Sequence, residues 1–214
     1  ALLLSNNHVL ADCNRGQPGD AILQPGTADG GREPEDVIAA LDRFGEIQFT
    51  RQPATCPLAS WFVRAVNALA AWGGFHHRLE AWREGPLAVN RIDAAVARPN
   101  DEDDVLADVL EIGPISGTRP AELGLRVRKC GRSSGLTTGE ISVLETTITV
   151  GYGDSTARFG GQIVTTPMSR PGDSGSVLVE AGGHRAVGLL FAGSDLATIY
   201  NPIDDVLRAL AVEL

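Results

Sequence analysis

Short runs of β-forming residues, separated by glycine-rich turns, fill the second half of the chain. Six such runs occupy residues 125–129, 140–150, 162–166, 177–180, 186–191 and 197–200. β-Branched and apolar runs of this length, bounded by glycine, asparagine and aspartate, are typical of strands. The pattern therefore predicts that residues after 125 are almost wholly β-structure.

The first half mixes signals for strands and for helices. Residues 2–4, 21–24 and 87–97 have the composition of short strands. Residues 37–44 are ambiguous, because alanine and leucine suit a helix while Val37, Ala39 and Leu41 alternate as in a strand. Composition alone leaves both alternatives open for this segment.

Two segments have the apolar spacing of amphipathic helices. The first follows a proline-bounded break at residues 53–57 and runs to Gly73, with apolar residues at three- to four-residue intervals: Leu58, Phe62, Val66 and Leu69. The second covers about residues 202–212, where Asn201 can cap a helix and Pro202 suits its first turn. The predicted architecture is an all-β body closed by a C-terminal helix.

Composition and charge exclude some classes of function. The 214 residues include 18 Lys and Arg against 27 Asp and Glu, a formal charge of −9. Nucleic-acid binding rests mainly on clustered Lys and Arg, so we expect no nucleic-acid partner. No apolar run approaches the ~20 residues that span a bilayer. Three scattered cysteines without a Cys-x-x-Cys pair argue against a metal site and leave the cellular compartment open.

Three short segments place reactive side chains at turns or in a strand. They are Ser5-Asn6-Asn7-His8-Val9-Leu10, Arg91-Ile92-Asp93-Ala94-Ala95-Val96 and Pro171-Gly172-Asp173-Ser174-Gly175-Ser176. Asp93 would be costly to bury unless a partner accepts its charge. The glycines around Ser174 allow a tight turn that exposes the hydroxyl and aims backbone N–H groups at one point. Taken singly, each segment has a structural interpretation: a hydrogen-bonded histidine, a turn-capping aspartate and a loop serine.

Taken together and in this order, the motifs resemble those of the chymotrypsin-like (trypsin-type) serine proteases. The resemblance rests on Asn7-His8-Val9-Leu10, Asp93-Ala94-Ala95, Gly172-Asp173-Ser174-Gly175, and Gly131-Arg132-Ser133-Ser134-Gly135, which is similar to the Gly-Arg-Thr-Thr-Gly stretch of bacterial members. It implies a chymotrypsin-like double β-barrel and makes residues 37–44 a strand. The related sequence Gly153-Asp154-Ser155 lacks the glycine after the serine and is interpreted as a hairpin turn.

The resemblance implies a serine endopeptidase that needs no cofactor or metal and acts on a polypeptide substrate. Ser174 would attack the scissile carbonyl, His8 would act as general base and acid, and Asp93 would orient the imidazole. The N–H groups of Gly172 and Ser174 would form the oxyanion hole. Residues 1–99 would carry His8 and Asp93, and residues 100–214 would carry Ser174.

Two departures from the family pattern motivate an alternative function. Only seven residues precede His8, so the N-terminal barrel is expected to be incomplete, or to be completed by a missing N-terminal segment of the protein. The segment of about residues 53–86 lengthens the His8–Asp93 interval and is interpreted as a helical insertion. An incomplete barrel could misplace His8. The alternative is therefore a protease-fold binding or scaffolding protein with little or no turnover.

Family analogy also assigns a substrate pocket and a structural ion pair. Met168 would form the pocket floor, and its walls would be Phe191, Ala192 and Gly193. A floor without a carboxylate argues against a preference for Lys or Arg, and predicts an uncharged residue of modest size at the cleaved position. Arg132 is predicted to pair with Asp173, beside the nucleophile, in place of a newly cut N-terminus.

Overall fold

The computed structural model describes residues 1–85 and 88–214, and most of its regular structure is β. Its helices are α1 (Asn7–Leu10), α2 (Pro57–Trp72) and α3 (Ile203–Leu210). Its strands are β1 (Leu3–Ser5), β2 (Ala21–Leu23), β3 (Val37–Phe44), β4 (Phe49–Pro53), β5 (Trp82–Glu84), β6 (Ala95–Pro99), β7 (Arg126–Gly131), β8 (Gly135–Tyr152), β9 (Ser155–Thr165), β10 (Val177–Glu180), β11 (Ala186–Gly193) and β12 (Thr198–Pro202). The predicted all-β body and both predicted helices are present.

The chain divides into two compact units. The barrel unit comprises residues 1–47, 90–148 and 159–214, and the helical unit comprises residues 48–89 and 149–158. The helical unit contains α2, which was predicted as part of an insertion. The division of the chain into halves at residues 99 and 100 stays a prediction.

Within the barrel unit, one antiparallel sheet is built from the N-terminal strands in the order β1-β6-β3-β2. The ambiguous segment Val37–Phe44 is the strand β3, as the family resemblance implies. Burial explains this outcome, because alternate residues of β3, including Ala39 and Leu41, are buried. A small apolar cluster of Ala11, Leu41 and Ala95 fixes α1 against this sheet.

The C-terminal strands of the same unit form a closed barrel. Their order is β12-β11-β10-β7-β8-β9, and a further pairing of β12 with β9 closes the ring. The interior is filled by buried side chains from several strands: Val127, Ile141, Ile163, Met168, Leu178, Val187, Leu190 and Tyr200. Helix α3 adds Val206 and Leu210 to a second cluster that includes Ile92, Ala94 and Leu189. The apolar stripe predicted for the C-terminal helix therefore faces the core.

The helical unit is organised around a small sheet. Strand β4 pairs with β5 and with the start of β9, and the Phe49 ring meets Tyr152 edge-on with centroids 5.9 Å apart. Helix α2 begins at Pro57, where the missing N–H costs nothing, and it ends before Gly73. No helix of the described residues is long and apolar enough to cross a membrane.

Three strands differ from their predicted boundaries by five residues or more at one end, and the other predicted strands differ by two or fewer. Strands β8 and β9 are longer than predicted and meet in a hairpin turn at Gly153 and Asp154, as interpreted from the sequence. The strand predicted over residues 87–97 begins only at Ala95, and Leu87 lies outside the described residues. The backbone N–H of Asp93 donates to the Asn201 side chain instead of to a neighbouring strand.

Candidate active site

His8 is held at the junction between a strand and a short helix. Strand β1 ends at Ser5, Asn6 is extended, and His8 lies in the first turn of α1. The buried Asn7 side chain donates to the carbonyl of Gly45 and to Asn14 Oδ1, with both distances 2.7 Å. These contacts fix the backbone immediately before His8, and the imidazole stays about one-fifth exposed.

Asp93 contacts His8 through both carboxylate oxygens. Its Oδ2 lies 2.6 Å from His8 Nδ1, and its Oδ1 accepts from the His8 backbone N–H at 3.2 Å. The Asp93 side chain is fully buried. A buried carboxylate needs such a partner, as the sequence argument required. The two residues are 85 positions apart in the chain and are brought together by the pairing of β1 with β6.

Three amide side chains that the sequence argument missed support Asp93. Asn6 Nδ2 donates to the Asp93 carbonyl at 2.7 Å, and the Asp93 N–H donates to Asn201 Oδ1 at 2.9 Å. Asn201 Nδ2 in turn donates to Gln162 Oε1 at 2.7 Å. Asn6, Asn201 and Gln162 are fully buried. Buried asparagine and glutamine demand partners, but the sequence does not identify those partners.

Ser174 lies in a turn whose backbone conformation favours glycine at two positions, Gly172 and Gly175. Gly172 and Gly175 have positive φ values of 98° and 86°. A Cβ on Gly172 would lie 2.3 Å from Arg132 Nη2, and one on Gly175 would lie 2.3 Å from Ser5 Oγ. The second contact brings the serine turn against the end of β1, three residues before His8.

The backbone N–H groups of this turn divide into two kinds. Those of Asp173, Gly175 and Ser176 donate to carbonyls of the barrel unit. Those of Gly172 and Ser174 donate to no acceptor within the part of the chain that the structure describes. These two groups are the predicted oxyanion-hole donors, and they are the ones left available for a ligand.

Asp173 is bound by a cage of donors on both sides of its carboxylate. Oδ2 accepts from Lys129 Nζ at 2.9 Å, from Ser134 Oγ at 2.6 Å and from the Arg170 N–H at 2.8 Å. Oδ1 accepts from the N–H groups of Ser133 and Ser134 at 2.8 and 3.1 Å. Burial would raise the pKa of Asp173, but the hydrogen bonds, those of Ser134 and Lys129 first, outweigh it and hold the pKa well below its ordinary value.

The predicted pairing of Arg132 with Asp173 is wrong. The Arg132 guanidinium pairs instead with Asp29 and is more than half exposed. Lys129, three residues earlier on β7, enters the barrel and is fully buried, as is its partner Asp173. The strand accounts for the difference: Lys129 lies at an inward-facing position of β7, whereas Arg132 follows the end of that strand. Alternation of buried residues along β7 was the signal that could have identified Lys129.

The predicted pocket residues are divided between the core and the surface. Met168 belongs to the barrel interior, and its backbone is bound by Thr137 Oγ1 at 2.7 Å and by Thr198 Oγ1 at 3.0 Å. Phe191 is also buried, with its ring 4.8 Å from that of Phe159. Ala192 is half-buried and Gly193 is exposed. The register of β11 against β12 shifts between Leu190 and Ala192, which redirects the chain at this position.

The described residues contain no group of three or more His, Cys, Asp or Glu that could hold a metal ion. The site offers an imidazole held by a buried carboxylate, a serine in a turn with two positive-φ glycines, and two backbone N–H groups without an acceptor among the described residues. Such a set can transfer a proton and stabilise an oxyanion.

Comparison of the sequence with known proteins gives a partial match. No protein-family model matches the chain. Over 99 residues it is 33% identical to streptogrisin D of Streptomyces griseus, which covers 44% of this chain and 24% of that protein. The chain thus matches about a quarter of the length of this curated relative.

Comparison with solved structures extends over the whole chain. A glutamic-acid-specific serine protease superposes with a TM-score of 0.58 and 17% identity, covering 100% of this chain and 86% of the other. The chymotrypsin of Cellulomonas bogoriensis superposes with a TM-score of 0.55 and 18% identity, covering 99% and 84%. At these identities the two structures establish the fold.

Proposed function

The chain has the double β-barrel fold of the chymotrypsin-like serine proteases and resembles their bacterial members in sequence, and from this premise we propose that it is a serine endopeptidase. In this proposal residues 1–99 supply His8 and Asp93, and residues 100–214 supply Ser174. The helical segment of about residues 53–86 is an insertion into the first half. The substrate is a polypeptide.

The contact between His8 and Asp93 is the observation that carries the proposal. A carboxylate 2.6 Å from Nδ1 keeps the proton on that nitrogen and leaves Nε2 as the base. His8 Nε2 then takes the proton of the Ser174 hydroxyl as its oxygen attacks the scissile carbonyl. The imidazolium returns this proton to the leaving amine. A water molecule then hydrolyses the acyl-enzyme: His8 Nε2 takes a proton from the water as it attacks, and returns that proton to the departing Ser174 oxygen. Asp93 stabilises the transient positive charge throughout.

The tetrahedral intermediate carries a negative charge on the former carbonyl oxygen. The free N–H groups of Gly172 and Ser174 are the donors we assign to it, since their neighbours are engaged within the barrel. Loss of one donor of this kind costs ~2.7–4 kcal/mol of transition-state stabilisation. Asp173 does not react; its cage of hydrogen bonds holds the turn in this conformation.

The cleavage preference proposed is for an uncharged residue of modest size. Met168 carries no charge, and Phe191 is apolar, so neither offers the countercharge that a buried Lys or Arg of the substrate would need. Profiling with a peptide library measures this preference. A dominant cleavage after Lys or Arg would contradict it.

Labelling with a serine-directed fluorophosphonate probe tests the proposed activity. We expect stoichiometric labelling of the wild-type chain, loss of labelling in Ser174→Ala and normal labelling in Ser155→Ala. Ser155 is the matched control, because it follows Gly153 and Asp154 in a similar sequence but lies at the start of β9. Absence of labelling in a folded wild-type chain would favour the alternative, a binding or scaffolding protein with little turnover.

A further inference from the structure

Helix α2 presents a large apolar face to solvent. Five of its bulky side chains are exposed, with Trp72 at 89% and Trp61 at 67%; the set is Leu58, Trp61, Phe62, Leu69 and Trp72. With about 100° between successive residues, they fall within an arc of about 100°. None of the residues of α2 is fully buried. Contiguous exposed faces of this kind mark interaction sites.

A second stripe of α2 is less exposed than the first. It contains smaller residues at helical spacing, and all are half-buried: Ala59, Val63, Val66 and Ala70. The helix therefore has two apolar stripes side by side, and only the one with small side chains is partly buried. The stripe that contains Trp61 and Trp72 is exposed to solvent.

The segment after α2 returns along the helix and encloses a basic cavity. Asn67 fixes it through two bonds, donating to the Leu79 carbonyl at 2.9 Å and accepting from the Leu79 N–H at 2.8 Å. The cavity of about 560 Å³ is lined by both elements, and its lining includes Arg64, His76, His77 and Arg78. Because Arg64 and Ala68 lie on the flank of α2 next to Trp61, the cavity borders the apolar face.

The charge of this unit is opposite to that of the whole chain. Residues 48–89 and 149–158 together contain five arginines, two glutamates, one aspartate and no lysine, a formal charge of +2, whereas the chain carries a formal charge of −9. Arg51 lies with its guanidinium carbon 4.0 Å from the centroid of the Trp82 ring. The unit that carries the apolar face is thus positively charged.

We propose that α2 and the return segment of residues 73–79 form a docking surface for an anionic phospholipid membrane. The apolar face would lie in the boundary between headgroups and acyl chains, where tryptophan side chains are favoured. The basic cavity would receive a lipid phosphate at headgroup level, and the arginines would be attracted by the negative surface potential. Docking of this kind would hold the helical unit at a membrane surface.

A second copy of the chain fits this surface less well. A helix of 16 residues is about 24 Å long and about 10 Å wide, so two facing helices would cover a footprint of about 500 Å² in all. Stable protein interfaces bury at least about 1,200 Å². Two copies would also bring together two surfaces of the same positive sign, each with Arg64 and Arg78 and no acidic residue. An anionic bilayer meets both requirements, because it offers unlimited area and the opposite charge.

Binding of the full chain to large unilamellar vesicles tests the proposal. Equimolar phosphatidylcholine and phosphatidylserine vesicles are compared with pure phosphatidylcholine, using sedimentation and tryptophan emission. All three tryptophans of the chain, Trp61, Trp72 and Trp82, belong to the helical unit, so the emission reports on this unit, and two of the three lie on the docking surface itself. With the anionic vesicles we expect the tryptophan emission to shift to shorter wavelength and the chain to sediment with the vesicles. Both effects should weaken at high salt.

Two double variants separate the apolar and the electrostatic contributions. Trp61→Ser with Trp72→Ser should weaken vesicle binding at least about tenfold, because two large apolar side chains no longer insert. Arg64→Gln with Arg78→Gln should weaken it about 25-fold at low salt and far less at high salt. The matched control is Leu106→Ser with Leu196→Ser, which removes two exposed apolar side chains of the barrel unit and should change nothing. All substituted residues are exposed, and circular dichroism verifies the fold.

Three outcomes would overturn the proposal. The first is equal sedimentation with and without anionic vesicles. The second is a concentration-dependent dimer, seen by analytical ultracentrifugation, that disappears in the double tryptophan variant while vesicles remain unbound. The third is binding of inorganic phosphate in the basic cavity without any binding of vesicles. None of these depends on protease activity, so the proposed function is tested independently.

Discussion

Replacement of Lys129 by methionine tests which basic residue holds Asp173 in place. The Lys129 and Asp173 side chains are both fully buried, with Nζ 2.9 Å from Oδ2. Methionine has a similar length and fills the same space without the charge. The change leaves a buried carboxylate without its counter-ion, and breaking such a pair from one side costs about 3–5 kcal/mol.

The structure favours the lower end of this range. At an effective dielectric constant of about 20, charges at this distance attract by about 6 kcal/mol, and removal of Lys129 also removes the cost of burying its ammonium group. Asp173 keeps four other hydrogen bonds, from Ser133, Ser134 and Arg170. We therefore expect a loss of about 3 kcal/mol in the free energy of unfolding, equivalent to a fall of roughly 6–12 °C in Tm for a chain of this size.

Urea unfolding at neutral pH measures this loss, and Arg132→Met provides the matched control. Arg132 is the basic residue predicted from sequence, lies three positions further along the chain and forms an exposed ion pair with Asp29. Its replacement should cost less than about 1 kcal/mol. The double variant Lys129→Met with Asp173→Asn should recover part of the stability, because no unpaired charge remains. Equal losses of stability in Lys129→Met and Arg132→Met, or a loss below about 1 kcal/mol in Lys129→Met, would show that Lys129 does not hold Asp173 in place.

Two further predictions concern the support of Asp93 and the behaviour of the barrel in acid. Asn201→Ala removes the side-chain oxygen that accepts from the buried Asp93 N–H. We therefore expect the free energy of unfolding in urea to fall by about 1–3 kcal/mol, and kcat on a peptide substrate to fall as well. An unchanged kcat would show that Asn201 does not position Asp93. Hydrogen bonds from Arg185 and then Arg119 lower the pKa of Glu180 from 4.5 to about 2, so the unfolded chain binds more protons between these values and stability falls as the pH drops through them. Glu180→Gln should therefore reduce the slope of unfolding free energy against pH between 4.5 and 2 by up to about 1.4 kcal/mol per pH unit, and an unchanged slope would contradict this assignment.

Much of the fold follows from local patterns in the sequence. Glycine-bounded runs of β-formers, such as residues 177–180, are strands because their backbone and side-chain preferences agree with their burial. The prolines before α2 and the glycines after it define that helix without reference to the rest of the molecule. The segment Val37–Phe44 was undecided locally, and it became a strand because the neighbouring β6 pairs with it and buries Leu41.

The candidate site shows what the tertiary structure alone decides. Types and order of residues indicated His8, Asp93 and Ser174 as candidate site residues, because the motifs around them occur in the same order as in the serine proteases they resemble. The partner of Asp173 was beyond the sequence, since Arg132 and Lys129 are both basic and lie three residues apart. Only the direction of β7 relative to the serine turn determines which side chain enters the barrel. Likewise, Asn201 reaches Asp93 from 108 positions away. Local sequence specifies the conformation of each segment. Contacts between distant segments depend on the packing of the whole barrel, and this packing determines which partner each buried charge contacts.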